Sequence, residues 1–205
     1  MRSLLVLAAL LVSACVKVTP PSRSAPGASL WAPASPNRAR VVFLRETEDF
    51  GRHSHSTYPL HVVDERGELL GDLYRFTWFA VEETPGEHTF FAWHDNYANA
   101  HSVAVLHATL LPGHTYYVGA VRAESAGPLQ TAERLDLRRA PAPLDGERGM
   151  KPIAMSPIAA SAWSEEEKDV VAERMASGRM KIAAGDFGEL KAGDGFVADA
   201  SMEPR

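Results

Sequence analysis

From Ala39 to Leu137 the chain alternates apolar and polar positions with a period near two, in short runs broken by turn residues. Arg40–Arg45 predicts a first strand, and the polar stretch Glu46–Thr57 that follows has no period. Tyr58–Asp64 and Glu68–Tyr74 flank Glu65-Arg66-Gly67, a hairpin turn in which glycine supplies positive φ. Phe76–Val81, Glu87–Asp95, Ser102–Leu111, Thr115–Ala123 and Leu129–Leu137 complete the set. About seven or eight short strands at this spacing predict a mostly-β, Ig-like or transthyretin-like Greek-key β-sandwich over residues 39–140. Several strands are apolar at both alternations, so both of their faces are expected to be covered.

Beyond Leu137 the period changes. Arg138–Pro143 reads as a linker, and residues 141–205 are expected to hold a linker, one short helix and a tail disordered from Lys191. Ser164-Glu165-Glu166-Glu167 fits a capping box, Val170, Val171, Arg174 and Met175 follow at helical spacing, and Gly178 is placed to end the helix. The helix is therefore expected at about residues 165–177.

The N-terminus has a different character. Met1-Arg2-Ser3 precedes the apolar run Leu4–Val12, and the small residues Ser13 and Ala14 follow, which is the three-part layout of a signal peptide over residues 1–14. The run is too short to span a bilayer, which takes about 20 apolar residues. Val12-Ser13-Ala14-Cys15 resembles the lipobox of bacterial lipoproteins, in which the cysteine is lipidated and becomes the new N-terminus. That resemblance implies a lipid on Cys15 and a place in the cell envelope. Val16 rather than Asp after the cysteine favours the outer membrane over the inner. The alternative, a plain signal peptide with an incidental cysteine, is weakened because Cys15 is the only cysteine and has no internal disulfide partner. Residues 15–38 are rich in Pro, Ser and Ala and read as a flexible tether, with Leu30-Trp31 expected to dock on the domain or, as the alternative, to mark a contact to a partner.

Composition narrows the function classes. The formal net charge is −5 and no dense Lys/Arg run exists, so nucleic acid is a poor partner. With one cysteine, the domain must rest on a packed core, and a thiolate metal cluster is excluded.

Two turn motifs stand out. Leu110-Leu111-Pro112-Gly113-His114-Thr115-Tyr116 resembles the tyrosine corner of Greek-key sandwiches, which implies a structural role for Tyr116, with Pro112 and Gly113 making the turn. Pro85-Gly86 forms a second such connection. Together "ETPGEHTF" and "LLPGHTYYV" resemble a family of bacterial lipoprotein domains of unknown function, across roughly Ala39–Arg122. The resemblance implies a sandwich and an envelope location but no activity, and the insertion Arg52–Ser56 has no counterpart in it.

Candidate chemistry is sparse. No G-x-S-x-G, phosphate loop or H-E-x-x-H occurs, so the expectation is a protein that is not an enzyme and holds no cofactor. His53 and His55 sit at i, i+2 and share a side if extended, but no third metal ligand is fixed by spacing. Among Trp78, Phe79, Phe91, Trp93 and Tyr97, alternation puts Phe91 and Trp93 opposite Phe90 and His94. If one set is exposed it forms a platform for sugar or peptide; otherwise both sets are buried. Trp93, His94, Asp95, Asn96 and Tyr97 are the candidate ligand contacts, at a sandwich end where binding loops gather. The leading expectation is a non-enzymatic lipoprotein that displays the sandwich to an envelope-protein or cell-wall partner. The alternatives are a carbohydrate- or peptidoglycan-binding module and a periplasmic metal-binding protein.

Overall fold

The computed structural model describes residues 22–23, 29–45, 59–94, 103–123, 134–139 and 150–197. One sheet holds β1 (Ser22–Arg23), β2 (Ala39–Arg45), β5 (Thr77–Glu83), β8 (Thr115–Ala123) and β9 (Arg134–Arg139), in the order β1-β5-β2-β8-β9, and β10 (Lys151–Pro152) pairs with the start of β5. The other holds β3 (Leu60–Val63), β4 (Leu69–Leu73), β6 (Gly86–His94), β7 (Val103–Leu110) and β11 (Gly188–Leu190), in the order β11-β7-β6-β3-β4. The chain is thus a mostly-β sandwich. Its eight longer strands, β2 to β9, overlap the ones that the alternating pattern predicts, except that β9 runs on to Arg139, where ladder pairing with β8 takes up Arg138 and Arg139 of the stretch read as a linker.

Alternation sorts the side chains into three layers. Val41, Phe43, Val62, Phe79, Val81, Phe90, Ala92, Leu106 and Val118 point between the sheets. The Phe43 ring stacks on Phe79 and meets Phe90 edge-on, each at 5.2 Å between centroids. On the outer face of the second sheet, Val63, Phe91, Trp93, Val103 and Val105 pack beneath two helices, α1 (Pro157–Glu166) and α2 (Lys168–Ala183). On the outer face of the first sheet, Val42, Leu44, Trp78 and Tyr117 lie under Leu30, Met150 and Phe196. Each large side chain so buried contributes roughly 1.5–3 kcal/mol, which is why segments at both ends of the described chain fold onto the sandwich.

The C-terminal region departs from expectation in three ways. There are two helices, and the first starts at Pro157: Ser156 is its N-cap, accepting from the Ala159 N–H at 3.1 Å, and proline at N1 lacks a donor that would be unpaired there anyway. Ser164, placed in a capping box by sequence, lies inside α1 and accepts the Leu69 N–H of strand β4 at 3.0 Å. Gly178 does not end a helix but lies within α2 against the Phe91 ring, where an added Cβ would sit 2.5 Å from the ring. Residues 191–197, expected as disordered tail, are folded: a 3₁₀ turn at Ala192–Asp194 precedes Phe196, which bridges Thr115 by two backbone hydrogen bonds. Residues 198–205 lie outside the described residues.

The stretch read as a tether is also partly docked. Ser22–Arg23 pairs with Glu82 and Val81, and the buried Arg40 guanidinium donates to the carbonyls of Ser29 and Ala32. Tyr117 Oη donates to the Leu30 carbonyl at 3.0 Å, and the Trp31 and Tyr117 rings lie 6.2 Å apart. Leu30-Trp31 docks on the domain.

Candidate functional site

The sandwich has two unlike ends. At the near end, where Ser22 joins β5, both Pro-Gly connections cross between the sheets: Thr84-Pro85 links β5 to β6, and Leu111–His114 links β7 to β8. Gly86 and Gly113 take φ of 132° and 71° there, conformations open to glycine. The Gly113 N–H donates to the Arg38 carbonyl at 2.7 Å. Tyr116 is fully buried; its Oη accepts the Leu111 N–H at 2.8 Å and donates to the Ala192 carbonyl at 3.2 Å. Burial, the larger influence, raises its phenol above the ordinary range, against the Leu111 hydrogen bond. The phenol thus ties the crossover to the C-terminal segment.

The same end holds a carboxylate cluster. Asp64, only 2% exposed, accepts from the backbone of Arg66 and Glu68 and from the Arg66 guanidinium, closing the β3–β4 turn in which Gly67 takes φ of 83°. Glu82 accepts from Ser35 Oγ at 2.7 Å. Glu83 is 5% exposed, and its Oε1 has no hydrogen-bond partner. Burial, reinforced by Asp64 and Glu65 and opposed by Arg38 and Arg66, pushes its carboxyl up to about 7. Beside this cluster an open groove of about 400 Å³ lies between the β3–β4 turn and the helices, floored by Val171 and Met175. Of its cations Arg66, Lys168 and Arg179, the first two are engaged, by Asp64 and by Glu165.

At the far end β4 turns into β5 through Tyr74-Arg75-Phe76. Thr77 pins this turn: its Oγ1 accepts the Tyr74 N–H at 2.8 Å and donates to the Tyr74 carbonyl at 2.7 Å. The Phe76 N–H donates to the Arg45 carbonyl, and the Lys151 N–H donates to the Phe76 carbonyl. Phe76 has φ of 55°, the one positive value at a non-glycine among the described residues. Tyr74 and Phe76 are 40% and 43% exposed, and the Arg75 guanidinium sits 4.8 Å over the Phe76 ring. Burial and the neighbouring Asp72 raise the Tyr74 phenol. Beneath the turn, burial lowers the Arg45 guanidinium to about 10 while it donates to the Leu73 carbonyl at 3.0 Å.

The residues singled out by sequence distribute unevenly over this frame. Trp93 is 1% exposed and Trp78 3%, so neither offers a platform for a sugar. Trp93 faces α1, with its ring 6.4 Å from Trp163, and the parity that puts it opposite Phe90 puts it under the helices. His94 ends β6 half-buried. Asp95, Asn96, Tyr97, His53, His55 and Cys15 lie outside the described residues. His61 is buried and holds Asp72 at 2.7 Å, with the Trp163 ring 4.8 Å away. His88 meets the Thr84 carbonyl at 2.8 Å, His107 meets Thr89 Oγ1 at 3.1 Å, and His114 meets the Pro112 carbonyl at 2.9 Å. Among the described residues no three His, Cys, Asp or Glu side chains are arranged to hold a metal.

Sequence reasoning missed the buried acid Glu83, the His61–Asp72 pair and the exposed Tyr74–Phe76 turn. The last had a signal, two aromatics around an arginine at a strand boundary; the first two depend on contacts across the sandwich. Comparison with known families, with curated proteins and with solved structures finds nothing that matches this chain.

Proposed function

We propose that the chain is a non-enzymatic lipoprotein of the bacterial envelope, held through a lipid on Cys15, preferably at the outer membrane, with the sandwich as its contact module for a partner. The observation that carries the contact reading is the enclosure of the sheets. The chain's own helices cover one outer face, and Leu30, Met150 and Phe196 cover the other, which leaves the ends and the helical surface for a partner. The membrane reading rests on Val12-Ser13-Ala14-Cys15.

The docked residues shorten the spacer this reading requires. Six residues, Val16–Pro21, separate Cys15 from Ser22. Seven steps between Cα atoms reach at most about 25 Å, so Ser22 lies within about that distance of the lipidated cysteine. No helix among the described residues is long and apolar enough to cross a membrane. Two or more chains are needed for stable anchoring.

The test is metabolic labelling with a palmitate analogue in cells, together with fractionation. The wild-type chain is expected in the membrane fraction with label. Cys15→Ala is expected unlabelled, with most of it lost from that fraction, and a variant that remains membrane-bound would refute the anchor.

A further inference from the structure

The groove beside the β3–β4 turn has walls that stand without a ligand. Asp64 Oδ1 accepts the backbone N–H groups of Arg66 and Glu68 at 2.9 Å each, which fixes the turn. Gly67, at φ of 83°, lays the turn directly on α2: a Cβ there would stand 2.9 Å from Val171 Cγ1 and 3.1 Å from Met175 Sδ. Ser164 Oγ ties α1 to β4 through the Leu69 N–H. An open cleft of about 400 Å³ between walls pinned in this way is preformed, so little reordering opposes an occupant.

Along the α2 wall, Lys168, Val171, Ala172, Met175 and Arg179 share one face of the helix, at i, i+3, i+4, i+7 and i+11. At a rise of about 1.5 Å per residue this face is about 16 Å long, the span of about five residues of extended chain at roughly 3.3 Å each. Its charges are unevenly matched. Arg66 pairs with Asp64 and Glu68, and Lys168 pairs with Glu165. Arg179 is exposed and has no partner among the described residues, and the Ser161 hydroxyl on the α1 wall is open in the same way. The groove thus offers an uncompensated guanidinium in a chain of net charge −5.

We propose that this groove docks an extended peptide segment of a protein partner, with an acidic side chain on Arg179 and an apolar one over Val171 and Met175. The proposal rests on the contact-module reading above and names the partner's chemistry. A guanidinium takes a carboxylate through two parallel hydrogen bonds, and the Ser161 hydroxyl can donate to or accept from a peptide backbone. An anionic lipid surface fits less well. Glu68 and Glu165 stand exposed on the rim and would face it. Val171 and Met175 are each 5% exposed at the floor, where a single side chain reaches and a bilayer surface does not.

The test is selection of displayed random heptapeptides on the purified chain carrying Cys15→Ala. Enriched peptides are then synthesised and titrated by fluorescence anisotropy, beside sedimentation with phosphatidylglycerol vesicles. Enriched peptides are expected to carry Asp or Glu two to four positions from Leu, Ile or Met, and their binding to weaken as salt rises. Arg179→Gln is expected to weaken binding at least tenfold. Ala172→Trp, which fills the groove from an exposed helical position, is expected to abolish it. Both variants should melt as the parent does, and Arg179→Gln keeps the test decisive if the tryptophan disturbs the fold. The proposal is overturned if no peptide is enriched, if enriched peptides lack an acid, if Arg179→Gln binds as the parent does, or if vesicles are bound and peptides are not. Failure here leaves the lipid on Cys15 standing, since labelling is read in cells. Failure of labelling leaves peptide binding standing, since that is read on the purified chain.

Discussion

Replacing Glu83 by Gln tests the electrostatics of the near end. Glu83 is buried beside Asp64 and Glu65, with Arg38 and Arg66 as opposing charges, and among the described residues one of its carboxylate oxygens has no hydrogen-bond partner. Its carboxyl is pushed up to about 7 from an ordinary value of 4.5. In the unfolded chain the group ionises near the ordinary value. Below that pH both states are protonated and the acid costs nothing. Between 4.5 and about 7 the folded state alone keeps the proton, so stability falls as pH rises through that window, and above it the loss is complete. A gap of about 2.5 pH units at about 1.36 kcal/mol each gives roughly 3 kcal/mol. That figure is a ceiling, because any water reaching the carboxylate lowers it. Glutamine keeps the shape and cannot ionise. In urea unfolding of a soluble Cys15→Ala form, adding Glu83→Gln is expected to leave stability near pH 4 within about 0.5 kcal/mol and to raise it at pH 8 by about 2–3 kcal/mol. The difference should open between pH 4.5 and 7. Parallel profiles across that window, or a glutamine variant less stable at pH 8, would refute the account of a desolvated, unpaired carboxyl.

Two further substitutions test the packing. Gly178→Ala would add about 1 kcal/mol in helix propensity, yet its Cβ would meet the buried Phe91 ring at 2.5 Å. Overpacking of that kind costs about 1–3 kcal/mol, so thermal melting is expected to show a net loss, and a gain in stability would contradict the contact. Tyr116→Phe leaves the Leu111 N–H and the Ala192 carbonyl without their shared partner. A loss of about 1–3 kcal/mol in urea unfolding is expected, with faster amide exchange at Leu111; an unchanged exchange rate would show that the phenol does not hold the crossover.

The sandwich was legible because a strand exposes its parity residue by residue. Val41 and Phe43 against Val42 and Leu44 already announce a strand covered on both faces, and Gly67 and Gly113 mark turns that need positive φ. The same parity located Trp93 on one face but could not say what lay over that face. The answer, α1 and α2, is set by contacts some 70 residues further along the chain. The C-terminal region misled for a related reason. Ser164 and Gly178 carry the local signatures of a helix start and stop, but a hydrogen bond to Leu69 and close approach to Phe91 claimed them instead. A cap contributes about 1 kcal/mol, and burial of an aromatic face more, so the tertiary contact prevails.

By itself the sequence determined where the strands fall along the chain, the glycine turns at Gly67 and Gly113, and the mostly-β class. These follow from local rules: period two and glycine at positive φ. Tertiary structure decided the rest: which strands became neighbours, that Trp93 is core, that the segments around Leu30 and Phe196 seal one face, that Glu83 holds its proton near neutrality, and that Phe76 projects from a strained turn. Each of these depends on groups distant in sequence meeting in space, where burial and unpaired charge are set by the whole fold.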